Sequence, residues 1–241
     1  MSSLHARNAS RESGAISGSR TGATISPRRL LVALASLVCA FAIIALPVAL
    51  GATGGFDVRA LHFIEERFPE ALYGFFLFFT TLGYYRVVGA LAIVAGAVFL
   101  LLGWRLSAAV IVVSSFGGMA ATTALKYLFG RARPDFIDSG YMAGWLSFPS
   151  GHATMAVGFY GVLAAILFLK LAGPKRWLVL ALGAGTALMI GLSRLYLGVH
   201  YPSDVLAGYL VSPAVVTLFL LGYASFGGRV GESGGDLRED P

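Results

Sequence analysis

The sequence predicts an all-α integral membrane protein, a bundle of six transmembrane helices. Three observations predict it: an apolar composition, a series of long uncharged runs, and basic residues weighted to one side of them. Of 241 residues, 57% are apolar and 12% charged, against about 45–50% and ~25% in soluble domains. Mean hydropathy is +0.77. A soluble globule has to face water over its whole surface and cannot carry that much apolar sequence. The composition therefore excludes a nucleic-acid module, despite a net charge of +6 and a pI near 9.7. Cys39 is the single cysteine, so an internal disulfide framework is excluded too.

Residues 1–29, rich in Ser and Gly and carrying Arg7, Arg11, Arg20, Arg28 and Arg29, read as a disordered basic tail. The uncharged run 30–50 is the first crossing, since ~20 apolar residues span a bilayer. A signal peptide cut near 49–51 would have a shorter apolar core, about 7–15 residues. Residues 52–70, with Asp57, Arg59, Glu65, Glu66 and Arg67, read as an external loop. The apolar run 71–82 is too short to span alone, and Gly83 separates it from 87–102. The short piece is expected at the membrane surface or against the bundle, with 87–102 as the second crossing. A single kinked span is the alternative. Crossings three to six are expected over 106–128, 153–171, 176–193 and 204–223. Residues 30–223 then form one domain, and the Gly-rich acidic stretch 224–241 a flexible tail. Small residues at 95–97 and 183–185 suit close helix packing in lipid.

Orientation follows from the positive-inside rule. With a cytoplasmic N-terminus, inner segments carry the tail arginines with Arg105, Lys170, Lys175, Arg176, Arg229 and Arg238. Outer segments carry Arg59, Arg67, Arg86, Lys126, Arg131, Arg133 and Arg194. The bias places both termini in the cytoplasm of what reads as a bacterial inner membrane.

Three clusters need more than spans and loops. In the first, Lys126 stands near the outer end of span three, Gly130 suits a helix C-cap, and Arg133 before Pro134 is biased toward extended backbone. Alone, these cations could simply be snorkelling. In the second, Pro149, Ser150, Gly151 and His152 precede span four, where free N–H groups at a helix start attract an anion. Alone, Ser150 could be only an N-cap and His152 an interfacial histidine. In the third, Ser193 and Arg194 are followed by His200 and Asp204, a spacing that shares one face if helical. A carboxylate on Nδ1–H fixes the imidazole tautomer and leaves Nε2 nucleophilic; alone, the pair could be structural. Topology places all three clusters at one membrane face. Three cations, a helix N-terminus, two histidines and a carboxylate suit phosphoryl transfer. His152, His200 and Asp204 could also be a metal set, but the nearby cations would repel a divalent ion. No metal and no cofactor are expected.

The pattern K-x6-RP, PSGH and SR-x5-H-x3-D resembles the signature of the type 2 phosphatidic acid phosphatase superfamily of membrane lipid phosphatases. Lys126, Arg133 and Pro134 match its first part, Pro149 to His152 its second, and Ser193, Arg194, His200 and Asp204 its third. The resemblance implies that His200 attacks phosphorus and forms a phosphohistidine, with Asp204 orienting it. His152 would protonate the leaving oxygen and then activate water. Lys126, Arg133, Ser150, Gly151 and Arg194 would hold the phosphoryl oxygens. Ser193 has no separate role in this reading, and Arg131, outside the pattern, reads as a loop charge. The resemblance further implies a metal-free reaction open to vanadate inhibition.

The function expected is hydrolysis of lipid phosphate monoesters or pyrophosphates at the extracytoplasmic interface. Undecaprenyl pyrophosphate, phosphatidylglycerol phosphate and phosphatidic acid are the candidate substrates. A lipid phosphotransferase, a lipid A 1-phosphatase, and a binding or transport protein on the same fold stand as alternatives. The expected partners are a membrane lipid and the bilayer, with no nucleic acid; the oligomeric state is left open. Phe136, Tyr141, Trp145 and Phe148 in the 131–148 loop could form a rim over the site or an interfacial aromatic belt, and the belt is the preferred reading.

Overall fold

A computed structural model describes residues 26–137, 139–144 and 146–226. Among them the chain is helical, with one isolated antiparallel bridge, between Ala132 and Leu146. The helices are α1 (Pro27–Ala49), α2 (Gly54–Arg67), α3 (Tyr73–Leu82, led in by a 3₁₀ turn from Glu70), α4 (Tyr85–Leu101), α5 (Arg105–Phe129), α6 (Gly151–Lys170), α7 (Lys175–Tyr196) and α8 (Pro202–Ser225).

Helix α1 starts ahead of the uncharged run. The Ser26 hydroxyl accepts from the Arg29 N–H at 3.4 Å, and Pro27 sits in the first turn, where its missing N–H costs nothing. Arg28 and Arg29 are thus helical rather than part of a tail. The rest of the two terminal stretches, 1–25 and 227–241, lies outside the described residues.

The expected loop over 52–70 is instead largely α2. Asp57 in its first turn and Arg67 in its last complement the helix dipole. Its buried residues are Asp57 and Leu61, and the helix packs against α7 and α8. The segment is polar because only that narrow stripe is covered.

The pieces expected as a surface helix and a second crossing form one bent pair. The segments Glu70–Leu82 and Tyr85–Leu101 meet at a bend of 49°, and only together are they long and apolar enough to cross. The break falls at Gly83 and Tyr84, and α3 lies against α7. Five other helices qualify singly: α1, α5, α6, α7 and α8.

The bundle centre is polar and held by hydroxyls. Helices α5 and α6 each contain a π-type turn, Val113–Gly117 and Val157–Gly161. Such turns disturb the backbone ladder, and in lipid every disturbed carbonyl needs a partner. The Ser114 hydroxyl donates to the Gly158 carbonyl at 2.5 Å. Ser212 of α8 stands 3.0 Å from the carbonyls of both Ser114 and Thr154. These bonds lock three helices together. The remaining core is aliphatic and aromatic, with Val88, Ala92, Phe99, Ile111, Met155 and Phe159 in its main cluster.

Close approach at one glycine sets the start of α6. A Cβ on Gly208 of α8 would lie 2.5 Å from the Ser150 carbonyl and 2.9 Å from the Ala153 Cβ. Gly208→Val is therefore expected to cost about 1–3 kcal/mol, as overpacking does. It should lower the unfolding temperature of the detergent-purified protein by several degrees, read from tryptophan fluorescence.

Candidate active site

Four helix ends and one extended segment deliver the functional side chains. Helix α5 ends on Gly130, whose φ of +59° is the left-handed C-cap that a side chain disfavours. The chain then runs extended through Arg131 and Arg133 and returns beside itself, with the Ser147 N–H on the Arg131 carbonyl at 2.8 Å. Ser150 caps α6, accepting from the Ala153 N–H at 3.5 Å, while its own N–H donates to the Asp204 carbonyl at 2.9 Å. The capping bonds thus tie the second cluster directly to the third.

His200 lies just ahead of α8, 1% exposed. Its Nδ1 stands 3.2 Å from Asp204 Oδ2, and its Nε2 stands 3.0 Å from Arg133 Nη1. A guanidinium only donates, so Nε2 carries the lone pair and Nδ1 carries the proton, donated to Asp204. That is the nucleophilic tautomer. Asp204 reaches His200 from the third position of α8, where Oδ2 also accepts the Tyr201 N–H at 2.9 Å as part of a capping box. Ser147 donates a further hydrogen bond to Oδ2. Burial, then the charges of Arg133, Lys126, Arg194 and Arg131, push His200 well below the ordinary imidazole pKa.

The cations converge on this histidine. Lys126 Nζ donates to the carbonyls of Leu146 at 2.8 Å and Ser147 at 3.0 Å. Arg133 also donates to the Gly144 and Val199 carbonyls. Burial, then the neighbouring Arg194, lower the Arg133 pKa to about 10, which leaves it charged at neutral pH. Arg194 is 1% exposed; it donates to the Thr80 hydroxyl, and its Cζ lies 4.9 Å from the Tyr141 ring centroid. Its Nε has no partner, nor does Nε2 of His152, although both are buried. His152 lies within electrostatic reach of Arg194, His200, Arg133 and Lys126. Open space lies beside Gly151, where a Cβ would meet only Thr122, at 3.9 Å. A buried guanidinium N–H without an acceptor and a buried imidazole nitrogen without a partner, among three cations, suit an anion.

Ser150 is fully buried, with its hydroxyl turned to the helix cap. Ser193 bonds its own helix, at 2.6 Å from the Ile190 carbonyl. The aromatic loop is no uniform belt: Phe148 is fully buried against Phe41 and Phe129, because it precedes the α6 cap inside the bundle. Tyr141 forms a rim over Arg194, and Phe136 stacks near His62 at 5.0 Å. Trp145 lies outside the described residues. A cavity of about 500 Å³ beside this face, lined by Glu65, Glu70, Tyr73 and Tyr196 among others, has carboxylates where a phosphate would need donors.

Sequence reasoning missed Arg131, Asp57, Thr80 and Gly83. Arg131 is no loop charge. It donates to Asp204 Oδ1 at 2.7 Å and to Asp57 Oδ2 at 2.7 Å, and stacks 4.1 Å over the Tyr201 ring. Its spacing of two from Arg133, on extended backbone, was the available signal, since alternate side chains share a side. Thr80 and Gly83 come from the α3–α4 break; a Cβ on Gly83 would lie 3.1 Å from the His152 ring. No local pattern marks these two.

Residues 102–226 match the model of the PAP2 superfamily. The chain belongs to that superfamily. The PAP2 match starts just before α5 and so leaves α1 to α4 outside it. Among curated proteins, the chain is 38% identical over 87 residues to phosphatidylglycerophosphatase B of Bacillus subtilis, covering 35% of this chain and 42% of that one. It is 39% identical over 102 residues to lipid A 1-phosphatase of Rhizobium etli, covering 39% and 40%. The matched stretches thus span about two fifths of those relatives' lengths. The fold of a transmembrane PAP2-type phosphatidylglycerolphosphate phosphatase crystallised from Bacillus subtilis superposes with a TM-score of 0.68. That pair is 26% identical, over 80% of this chain and 96% of the other.

The histidine geometry can be read directly. In ¹⁵N-histidine-labelled protein, the resonance lost on His200→Gln should report a neutral, Nδ1-protonated ring at pH 6.5, the ordinary imidazole midpoint of about 6.5. An imidazolium signal there would contradict the assignment.

Proposed function

We propose that this PAP2 protein is a six-span, metal-independent lipid phosphatase whose site opens on the extracytoplasmic face. The observation that carries the reading is His200 itself: Nδ1–H on Asp204 and the Nε2 lone pair on Arg133, with Lys126 and Arg194 within electrostatic reach of the ring. The orientation is supported by the arginines before the first span and by the clustering of the site at the opposite helix ends. Residues 30–223 form the phosphatase domain in this reading, with the broken pair α3–α4 as one of six crossings.

The reaction follows from the contacts. A phosphoryl group enters between Lys126, Arg133 and Arg194, which exchange carbonyl partners for its oxygens, with the Gly151 backbone alongside. Arg133 gives up Nε2 as it takes a phosphoryl oxygen, so substrate binding itself frees the nucleophile. The Nε2 lone pair attacks phosphorus; the bond to the lipid oxygen breaks, and His152, protonated when the phosphate anion binds beside it, gives that oxygen its proton. His152 then takes a proton from water, which attacks the phosphohistidine, releases phosphate and restores His200. Asp204 remains ionised and stabilises the charged imidazole ring throughout. Relatives that share this core act, by their names, on phosphatidylglycerophosphate, lipid A and undecaprenyl diphosphate. A phosphate monoester or pyrophosphate on a lipid is therefore the substrate class we assign.

The test is phosphate release by purified protein in excess EDTA from undecaprenyl pyrophosphate, phosphatidylglycerol phosphate, phosphatidic acid and lipid A. Release from at least one is expected, with vanadate inhibiting it. Recovery only on adding a divalent metal would defeat the mechanism. His200→Ala should leave no measurable turnover. His152→Ala should lower kcat by about 10²–10⁴-fold, the usual worth of a positioned general acid.

A further inference from the structure

We propose that Asp57 is a positioning residue for the nucleophile, holding the Asp204 carboxylate against His200 through Arg131. This rests on the phosphatase reading above. Arg131 is a fork between two carboxylates that are both fully buried: Nη1 donates to Asp204 Oδ1 and Nη2 to Asp57 Oδ2, each at 2.7 Å. Nη2 also reaches the Thr53 hydroxyl at 3.2 Å, and Nη1 the Ser203 hydroxyl at 2.7 Å. Asp57 grips the start of α8 as well. Its Oδ1 accepts the Ser203 N–H at 3.1 Å, and its Oδ2 stands 2.7 Å from the Ser203 hydroxyl. Ser203 precedes Asp204, so α2 fixes both the backbone and the side chain that aim the imidazole.

Charge gives the arrangement its purpose. Arg131 alone would cancel Asp204, beside a site already holding Lys126, Arg133 and Arg194. With Asp57 the trio keeps one net negative charge, facing the ring that becomes cationic when phosphorylated. A planar guanidinium can bind two carboxylates at once in fixed geometry; an ammonium cannot. None of the three phosphate-facing cations bonds Asp57, so its influence falls on turnover rather than on substrate capture. Asp57 lies in α2, outside the segment matched by the PAP2 model, and no signature position points to it.

The test compares Asp57→Asn, Ser203→Ala, His200→Ala and the unaltered full chain, each purified in detergent. Turnover of the preferred lipid from the EDTA panel is followed across concentrations, with unfolding temperatures alongside. Asp57→Asn is expected to lower kcat by about 10–100-fold, as outer-shell partners do, with KM within about two-fold. Wild-type kcat in folded Asp57→Asn, or a loss carried by KM alone, overturns the proposal. If Asp57→Asn does not fold, Ser203→Ala decides, because it removes one shared hydroxyl and keeps every charge. A fall in kcat of about 2–10-fold at constant KM supports the proposal; wild-type kcat overturns it. Full turnover by His200→Ala would defeat the phosphatase reading itself, a result distinct from failure at Asp57.

Discussion

A guanidinium shared by two buried carboxylates governs the site face of this protein. Arg131 sits on the segment between α5 and α6, Asp57 on α2 and Asp204 on α8, so one cation joins three parts of the chain. Removing one member of such a buried group strands the others without water, which typically costs about 3–5 kcal/mol. The arrangement is therefore all or nothing, and it orders the elements around it. Ser203, Thr53 and Tyr201 are held by the same fork, and His200 is aimed by what it holds.

The three remaining cations face the opposite problem. Lys126, Arg133 and Arg194 crowd together, and each leans on carbonyl or hydroxyl oxygens rather than on a carboxylate. Neutral dipoles make these cations tolerable without neutralising them. An arriving phosphate brings the charge that the polypeptide withholds. Arg133 is the hinge of this exchange, because it occupies the nucleophile's lone pair until a better acceptor comes. Binding and activation are then one event.

How much of this was legible depended on distance along the chain. Lys126, His152, Arg194, His200 and Asp204 were readable at or beside helix ends and Arg133 just before a proline, because short motifs mark those places. The five helices that are singly long and apolar enough to cross were readable from apolar runs. Helix α2 was not: a polar helix with one narrow buried stripe looks like a loop until the surface it covers is known. Asp57 and Thr80 were invisible for a related reason. Their partners, Arg131 and Arg194, stand far along the chain, and an acid in an external segment is ordinarily taken as solvated. Ser150 illustrates the converse: its position was expected, yet its hydroxyl is spent on holding the helix start.

The π-type turns in α5 and α6 give the site a phase as well as a position. Each residue in a helix advances its face by about 100°, so the irregular turns at Val113–Gly117 and Val157–Gly161 decide where everything beyond them points. Lys126 lies on the far side of the first, and both turns are clamped by Ser114 and Ser212. Deleting a single apolar residue there would leave composition, hydropathy and signature intact. It would nonetheless return a wide turn to α-helical pitch and withdraw the carbonyls that Ser114 and Ser212 clamp. Deep in the lipid, the register of these two helices is therefore held by hydroxyl groups as well as by apolar packing.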